Sequence, residues 1–182
     1  MAVGTALAFA AGNVRAQETT QADKDKALAY LESTKKGVLD ESKGLSGAQW
    51  NFKAAPDKWS VAECVEHIAA AEDFIRGMAV DKAMKAPAAP DRDIAKIDAG
   101  IMAMIPDRSQ KAQAPDQLKP TNRFGSPEGS LKHFAESRTA TENFLKDTPD
   151  LRAHAADRNW TPTSGYCSSR HTASVTPSKS KK

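Results

Sequence analysis

The chain has 182 residues, of which 40% are hydrophobic and 27% charged, a composition typical of a single soluble globular domain. Its net charge of +3 is uneven, because residues 158–182 contain five bases and no acid, and residues 1–157 therefore carry 21 bases against 23 acids. No basic stripe with interleaved aromatics is present, which argues against nucleic-acid binding.

The N-terminus carries a short apolar run from Val3 to Ala11. The run is too short to span a bilayer, so we expect no transmembrane segment. Val14 and Ala16 suit the −3 and −1 positions of a signal cleavage site, and residues 1–17 are therefore predicted to be a truncated signal peptide. The predicted location is periplasmic or secreted. Because the positive residues that usually precede the apolar run are missing, a cytoplasmic protein with a disordered N-terminus stays open.

The first predicted helix runs from about Thr20 to Lys43, with Leu28, Leu31, Val38 and Leu45 on one side at helical spacing. Gly44 follows it in the position that commonly ends a helix. The next segment reads "AQWNFKAAPDKW" and is predicted to be a connection. Its three large aromatics, Trp50, Phe52 and Trp59, are predicted to close the end of the core.

The second long helix begins with a clear signal, because Ser60 is followed three residues later by Glu63, a capping-box pattern. Its apolar face contains Cys64, where a buried free thiol is common. A disulfide with Cys167, the other cysteine, is the less favoured alternative. Glu66 and Glu72 are predicted to line a solvated flank of this helix.

Two further helices are predicted. The first spans Asp93 to Ile105 and carries isoleucines at helical spacing. The second begins at Ser126 as cap, with Pro127 in the first helical position, and runs to about Asp147. No segment alternates with period two, so the fold class is all-α: an up-and-down four-helix bundle over residues 18–157. Residues 158–182 are polar and aperiodic and are predicted to form a disordered basic tail in place of the last helix.

The stretch "PDKWSVAECVEHIAAAED" and its surroundings, from Ala27 to Ile75, resemble the DinB-like superfamily of four-helix-bundle proteins. The likeness extends loosely through "SLKHFAESRTATENFL". The resemblance implies a metal-dependent protein with three histidines, one on the second helix and two spaced four apart on the last. His67 matches the first position, and the final H-x-x-x-H pair is absent.

The genetic code offers an explanation for the missing pair. If the codons from Asn159 onward are read from each third base, permitted choices give "LDAYEWLLFVSAHSERHTKQIEE", which has helical apolar spacing and an H-x-x-x-H pair. Histidines four apart lie on one helix face, as two ligands of one ion must. We hypothesise a frameshift near residues 157–159.

His67 is the candidate metal ligand, and a packed helix residue is the competing interpretation. Stable transition-metal sites use three or four protein ligands, and this chain offers one well-placed histidine, so tight binding of a divalent ion such as nickel or zinc is not expected. His133 is predicted to be solvated, His154 to lie in a loop or turn, and His171 falls in the predicted disordered tail.

Three functional hypotheses follow. The first is a DinB-like bundle with an ancestral divalent-metal site, impaired in this chain, for which the resemblance implies hydrolase or thiol-transferase activity on an unknown small molecule. The second is a non-catalytic binding or structural bundle of the cell envelope. The third is a defective copy. A groove left by the missing helix would favour homodimers.

Overall fold

The computed structural model of the chain describes residues 18–88, 92–104 and 113–154. Every regular element in these ranges is helical, which confirms the all-α prediction. The α-helices are α1 (Gln21–Ser42), α2 (Gly47–Asn51), α3 (Val61–Met78), α4 (Ile94–Met104) and α5 (Pro127–Asp147). A π-helical turn, Ala79–Ala83, extends α3, and a 3-10 turn, Asp116–Leu118, precedes α5. The predicted leader 1–17 and tail 158–182 lie outside the described residues and stay predictions.

The helix starts follow local signals in the sequence. At α3 the Glu63 N–H donates to Ser60 Oγ at 3.2 Å, and the Ser60 N–H donates to the Glu63 carboxylate at 2.8 Å. This reciprocal pair is the predicted capping box, and it satisfies two amide donors that the first helical turn leaves free. Ser126 accepts from the Gly129 N–H at the start of α5, as predicted.

The end of α1 lies where it was predicted, but the connection that follows contains a short helix that was not predicted. Gly44 has φ +72°, the left-handed conformation that glycine adopts without steric cost, directly after the cap of α1. The segment predicted to be a plain connection contains α2, a single helical turn with its own capping box between Ser46 and Gln49. Ile105, the last residue of the third predicted helix, lies outside the described ranges.

The three long helices pack side by side with α5 against both α1 and α3. Lys24, near the start of α1, donates to the carbonyl of Lys146 near the end of α5, so these helices are antiparallel. Along α3, Glu66 contacts the loop before α5 and Glu72 contacts Arg138 within α5, so α3 and α5 run in the same direction. Taken in chain order, the three long helices therefore run up, down and down, and the short α4 lies in the chain between the last two.

The core of the described residues has three apolar clusters, two of them along the seams of α5. The larger contains Val38, Trp50, Val65, Ile68, Ala69 and Phe134, and the smaller contains Leu31, Leu145 and Leu151. The four residues predicted to share one side of α1 all lie in or against these two clusters: Leu28, Leu31, Val38 and Leu45. None of the helices within the described ranges is long and apolar enough to cross a membrane.

Of the three large aromatic side chains in the α1–α3 connection, only one packs into the core. Trp50 is buried, as predicted, because the short α2 turns its indole toward α3. The prediction is wrong for Phe52, which is 62% exposed, and for Trp59, which is 38% exposed. Phe52 lies just beyond the end of α2, where the chain leaves the helix and the side chain no longer faces the core.

Candidate functional site

His67 lies on α3 with its imidazole held by a backbone carbonyl. His67 Nδ1 is 2.9 Å from the carbonyl oxygen of Leu118, in the 3-10 turn before α5. A carbonyl oxygen only accepts, so Nδ1 carries the proton and, in the neutral ring, Nε2 carries the lone pair. Metal-binding histidines commonly donate one ring N–H to a carbonyl in this way while the other nitrogen binds the ion.

An indole ring and a small apolar cluster surround His67. The Trp59 and His67 ring centroids are 4.9 Å apart with the planes tilted by 53°. Leu118 is buried against Ala70 and Ala71, on the turn of α3 that follows His67. The imidazole is half-buried and its surroundings restrict its rotation.

Glu66, the neighbour of His67, is buried and holds the loop that follows Leu118. Its carboxylate accepts from the backbone N–H groups of Thr121 (2.7 Å), Asn122 (2.8 Å) and Arg123 (3.1 Å). Burial opposes ionisation, but these hydrogen bonds outweigh it and lower the pKa of Glu66. The prediction of a solvated Glu66 is wrong, because the folded loop covers a residue that the helix alone would leave exposed.

A polar pocket of about 560 Å³ opens between the first turns of α3 and α5. It is lined by residues of the α2–α3 connection, of both helix starts and of the 120–125 loop, and Glu63 and Glu66 lie in its wall. Lys53, also in the wall, pairs with Glu63 at 2.8 Å. His67 does not line this pocket, although both glutamates lie within one turn of it on α3.

Cys64 and the other described histidines do not complete a metal site around His67. In the part of the chain that is described, no three His, Cys, Asp or Glu side chains are close enough to hold an ion. Burial, with a smaller contribution from Glu63, raises the pKa of the Cys64 thiol to about 11, which disfavours the thiolate that a metal requires. His154 lies in the loop that follows the turn at 151–153, and its Nδ1 contacts the carbonyl of Ala86. His171 lies outside the described residues.

His133 belongs to a separate polar cluster that joins α3 to α5. Its Nε2 donates to the Asp73 carboxylate at 2.6 Å, and its ring stacks on Phe124 with centroids 4.2 Å apart. Ser137 and Arg76 also donate to Asp73. The prediction of a solvated His133 is right only in part: 35% of its side chain is exposed, but the ring is paired with a residue of another helix, of which the spacing along α5 carries no sign.

Glu72 takes part in a second buried network, although a solvated position was predicted for it. Arg138 Nε and Nη2 donate to the two Glu72 oxygens at 3.0 and 2.9 Å, and both side chains are 1% exposed. Arg138 Nη1 also donates to the Leu31 carbonyl at 2.6 Å and to Thr34 Oγ1 at 2.8 Å. The network therefore joins α1, α3 and α5 in the core. The acidic residue faces inward because a guanidinium from α5 meets it there.

Comparison of the sequence with known proteins assigns the chain to a family. The sequence profile of the DinB superfamily matches residues 30–166. The uncharacterized protein YuaE of Bacillus subtilis (strain 168) is 26% identical over 152 residues, which cover 78% of this chain and 90% of that protein. No solved structure matches the chain. With the profile matching most of its length and the described residues folding into a helical bundle, the chain belongs to the DinB superfamily.

Proposed function

We propose that His67 supplies one ligand to a divalent transition-metal site of the kind that the DinB resemblance implies. The supporting observation is the hydrogen bond from Nδ1 to the Leu118 carbonyl, which leaves the Nε2 lone pair for an ion. Nickel or zinc suits an imidazole ligand. The corresponding activity would be that of a metal-dependent hydrolase or thiol-transferase acting on a small molecule.

The described residues alone do not fit a complete site. A stable site needs three or four protein ligands, and His67 is not joined by two further candidates in the described ranges. The remaining ligands would have to come from other parts of the chain. In the shifted reading of the codons from Asn159 onward, the H-x-x-x-H pair would provide two of them. In the chain as written, metal binding through His67 is therefore expected to be weak and the activity impaired.

A non-catalytic helical protein is the second candidate, and a specific observation favours it. The acidic side chains that could have served as ligands, Glu66 and Glu72, are each engaged by an arginine. A binding or structural role needs only a stable bundle, whereas a defective copy would melt without cooperativity. Thermal unfolding separates these two alternatives.

Metal analysis of the purified full chain tests the first proposal. Two proteins are measured: the chain as written, and a version whose reading frame is restored from the gene sequence. Each is compared with its own His67→Ala variant. His154→Ala is the matched control, because His154 also places Nδ1 2.9 Å from a backbone carbonyl. We expect about one equivalent of nickel or zinc in the restored chain, kept on His154→Ala and lost on His67→Ala. The proposal would be ruled out if the restored chain contained no metal, or if its metal content did not change on His67→Ala.

We further propose that the protein is exported and self-associates. The proposal of export rests on the signal-like pattern of residues 1–17, and a mature N-terminus near Gln17 in the periplasmic fraction would support it. An unprocessed chain in the cytoplasm would refute it. A homodimer would be visible as a doubled mass in light scattering.

A further inference from the structure

We propose that Glu66 and Arg123 are positioning residues that fix the tautomer of His67. The inference rests on the proposed role of His67 as a ligand, because the tautomer decides which ring nitrogen can bind a cation. It concerns two residues that touch neither the imidazole nor any ion, and act through the backbone of the 117–123 loop. Three sets of contacts connect them to His67.

The first set fixes one end of the loop on α3. The carboxylate of Glu66, only 5% exposed, accepts the backbone N–H groups of three consecutive residues, Thr121, Asn122 and Arg123. Asn122 has φ +59°, which helps three successive N–H groups converge on one carboxylate. The loop is thereby fixed to the residue that precedes His67 in the chain.

The second set carries this restraint back along the loop through one guanidinium. Arg123 Nε donates to Glu66 at 3.2 Å. Its Nη1 donates to the carbonyl of Gln117 at 2.9 Å, and its Nη2 donates to the carbonyl of Lys119 at 2.6 Å. The planar fork of an arginine spans such a set of acceptors, which a single ammonium group cannot reproduce. The carbonyls on both sides of Leu118 are therefore held by the same side chain.

The third set presents the remaining carbonyl to His67. With its neighbours held by Arg123, the Leu118 carbonyl is free to accept from His67 Nδ1, at 2.9 Å. The Leu118 side chain is buried on Ala70 and Ala71, which keeps this turn against α3. The tautomer of a neutral histidine is decided by the hydrogen bond that one ring nitrogen makes, so the loop selects the Nδ1–H form.

The test is nitrogen NMR of the imidazole in the metal-free full chain, with ¹⁵N-labelled histidine, at about pH 9, where free histidine is neutral. We expect wild-type His67 to show a protonated Nδ1 and an unprotonated Nε2. Arg123→Lys keeps the charge beside Glu66 but loses the fork, and Glu66→Gln removes the carboxylate charge. Both variants should shift His67 to a mixture dominated by the Nε2–H form. Lys119→Ala is the control, because it removes an exposed side chain of the same loop and leaves the Lys119 carbonyl in place, so the wild-type tautomer should persist.

Thermal unfolding identifies the variants that remain folded, and only folded variants are scored. The proposal is overturned if both Arg123→Lys and Glu66→Gln fold and keep the wild-type tautomer, or if wild-type His67 is itself protonated on Nε2. If the variants show the expected tautomer shift but the metal analysis finds neither nickel nor zinc, the positioning role is retained and only the proposed metal function fails.

Discussion

Replacing Arg138 by methionine tests the most deeply buried ion pair among the described residues. Arg138 and Glu72 are both 1% exposed and share two hydrogen bonds, at 2.9 and 3.0 Å. Methionine keeps most of the side-chain volume, so little cavity is created, although the contact of the guanidinium with the face of the Phe134 ring is lost. The substitution removes the cationic partner of the Glu72 carboxylate, which stays inside the core.

The cost of that change can be bounded from the structure. Breaking a buried ion pair by removing one partner costs about 3–5 kcal/mol, because the other charge is left without compensation. Thr34 Oγ1 still donates to the Leu31 carbonyl at 2.9 Å, so that acceptor stays satisfied and adds little to the cost. A domain of this size has a total stability of about 5–15 kcal/mol, so Arg138→Met should remove a large share of it.

Urea unfolding followed by circular dichroism measures this loss in the full chain. The double variant Glu72→Met/Arg138→Met removes both charges and should recover most of the stability lost in the single variant. Lys36→Met is the control, because its i,i+4 pair with Asp40 is solvent-exposed and should contribute less than about 0.5 kcal/mol. A loss below about 1 kcal/mol for Arg138→Met, or a double variant as unstable as the single one, would refute the reasoning.

Four further predictions follow from local features. Ser60→Ala should lower the free energy of unfolding by about 1 kcal/mol in urea titrations, because it removes the cap of α3, whereas Ser60→Thr should not. Cys64, with its pKa near 11, should react with iodoacetamide at pH 8 far more slowly in the folded Cys167→Ser variant than after unfolding; equal rates would contradict its burial. Burial opposes ionisation of Asp73, but hydrogen bonds from its neighbours lower its pKa below 3.8, so its stabilisation is present above that pH and lost as the pH falls through the folded value. Asp73→Asn should therefore destabilise the protein at pH 7, with a difference from wild type that narrows below pH 3.8. Sequencing codons 150–182 should reveal an insertion or deletion that restores the H-x-x-x-H helix, and if no permitted change does so, the frameshift hypothesis fails.

The helices themselves were predictable from the sequence, because the signals that begin and end them act over three or four residues. Ser60 with Glu63, Ser126 with the following proline, and Gly44 each placed a helix boundary within about one residue of its position in the structure. The short α2 could not be predicted from periodicity, because a helix of five residues has too few turns to show amphipathic spacing. His67 could be singled out only through the family resemblance, since a lone histidine on an amphipathic helix has no distinctive spacing.

The partners of the polar residues were decided by the tertiary structure alone. Glu66 and Glu72 were predicted to line a solvated flank of α3, and His133 was predicted to be solvated because it projects opposite the apolar face of α5. In the fold, Glu66 meets the loop 55 residues further along the chain and Glu72 meets Arg138 across 66 residues. Helical periodicity describes one helix at a time, whereas the burial of a charge depends on which side chain a second helix or loop brings opposite it. The sequence by itself therefore determined where the helices lie along the chain, and only their packing decided which charges are buried and how His67 is oriented.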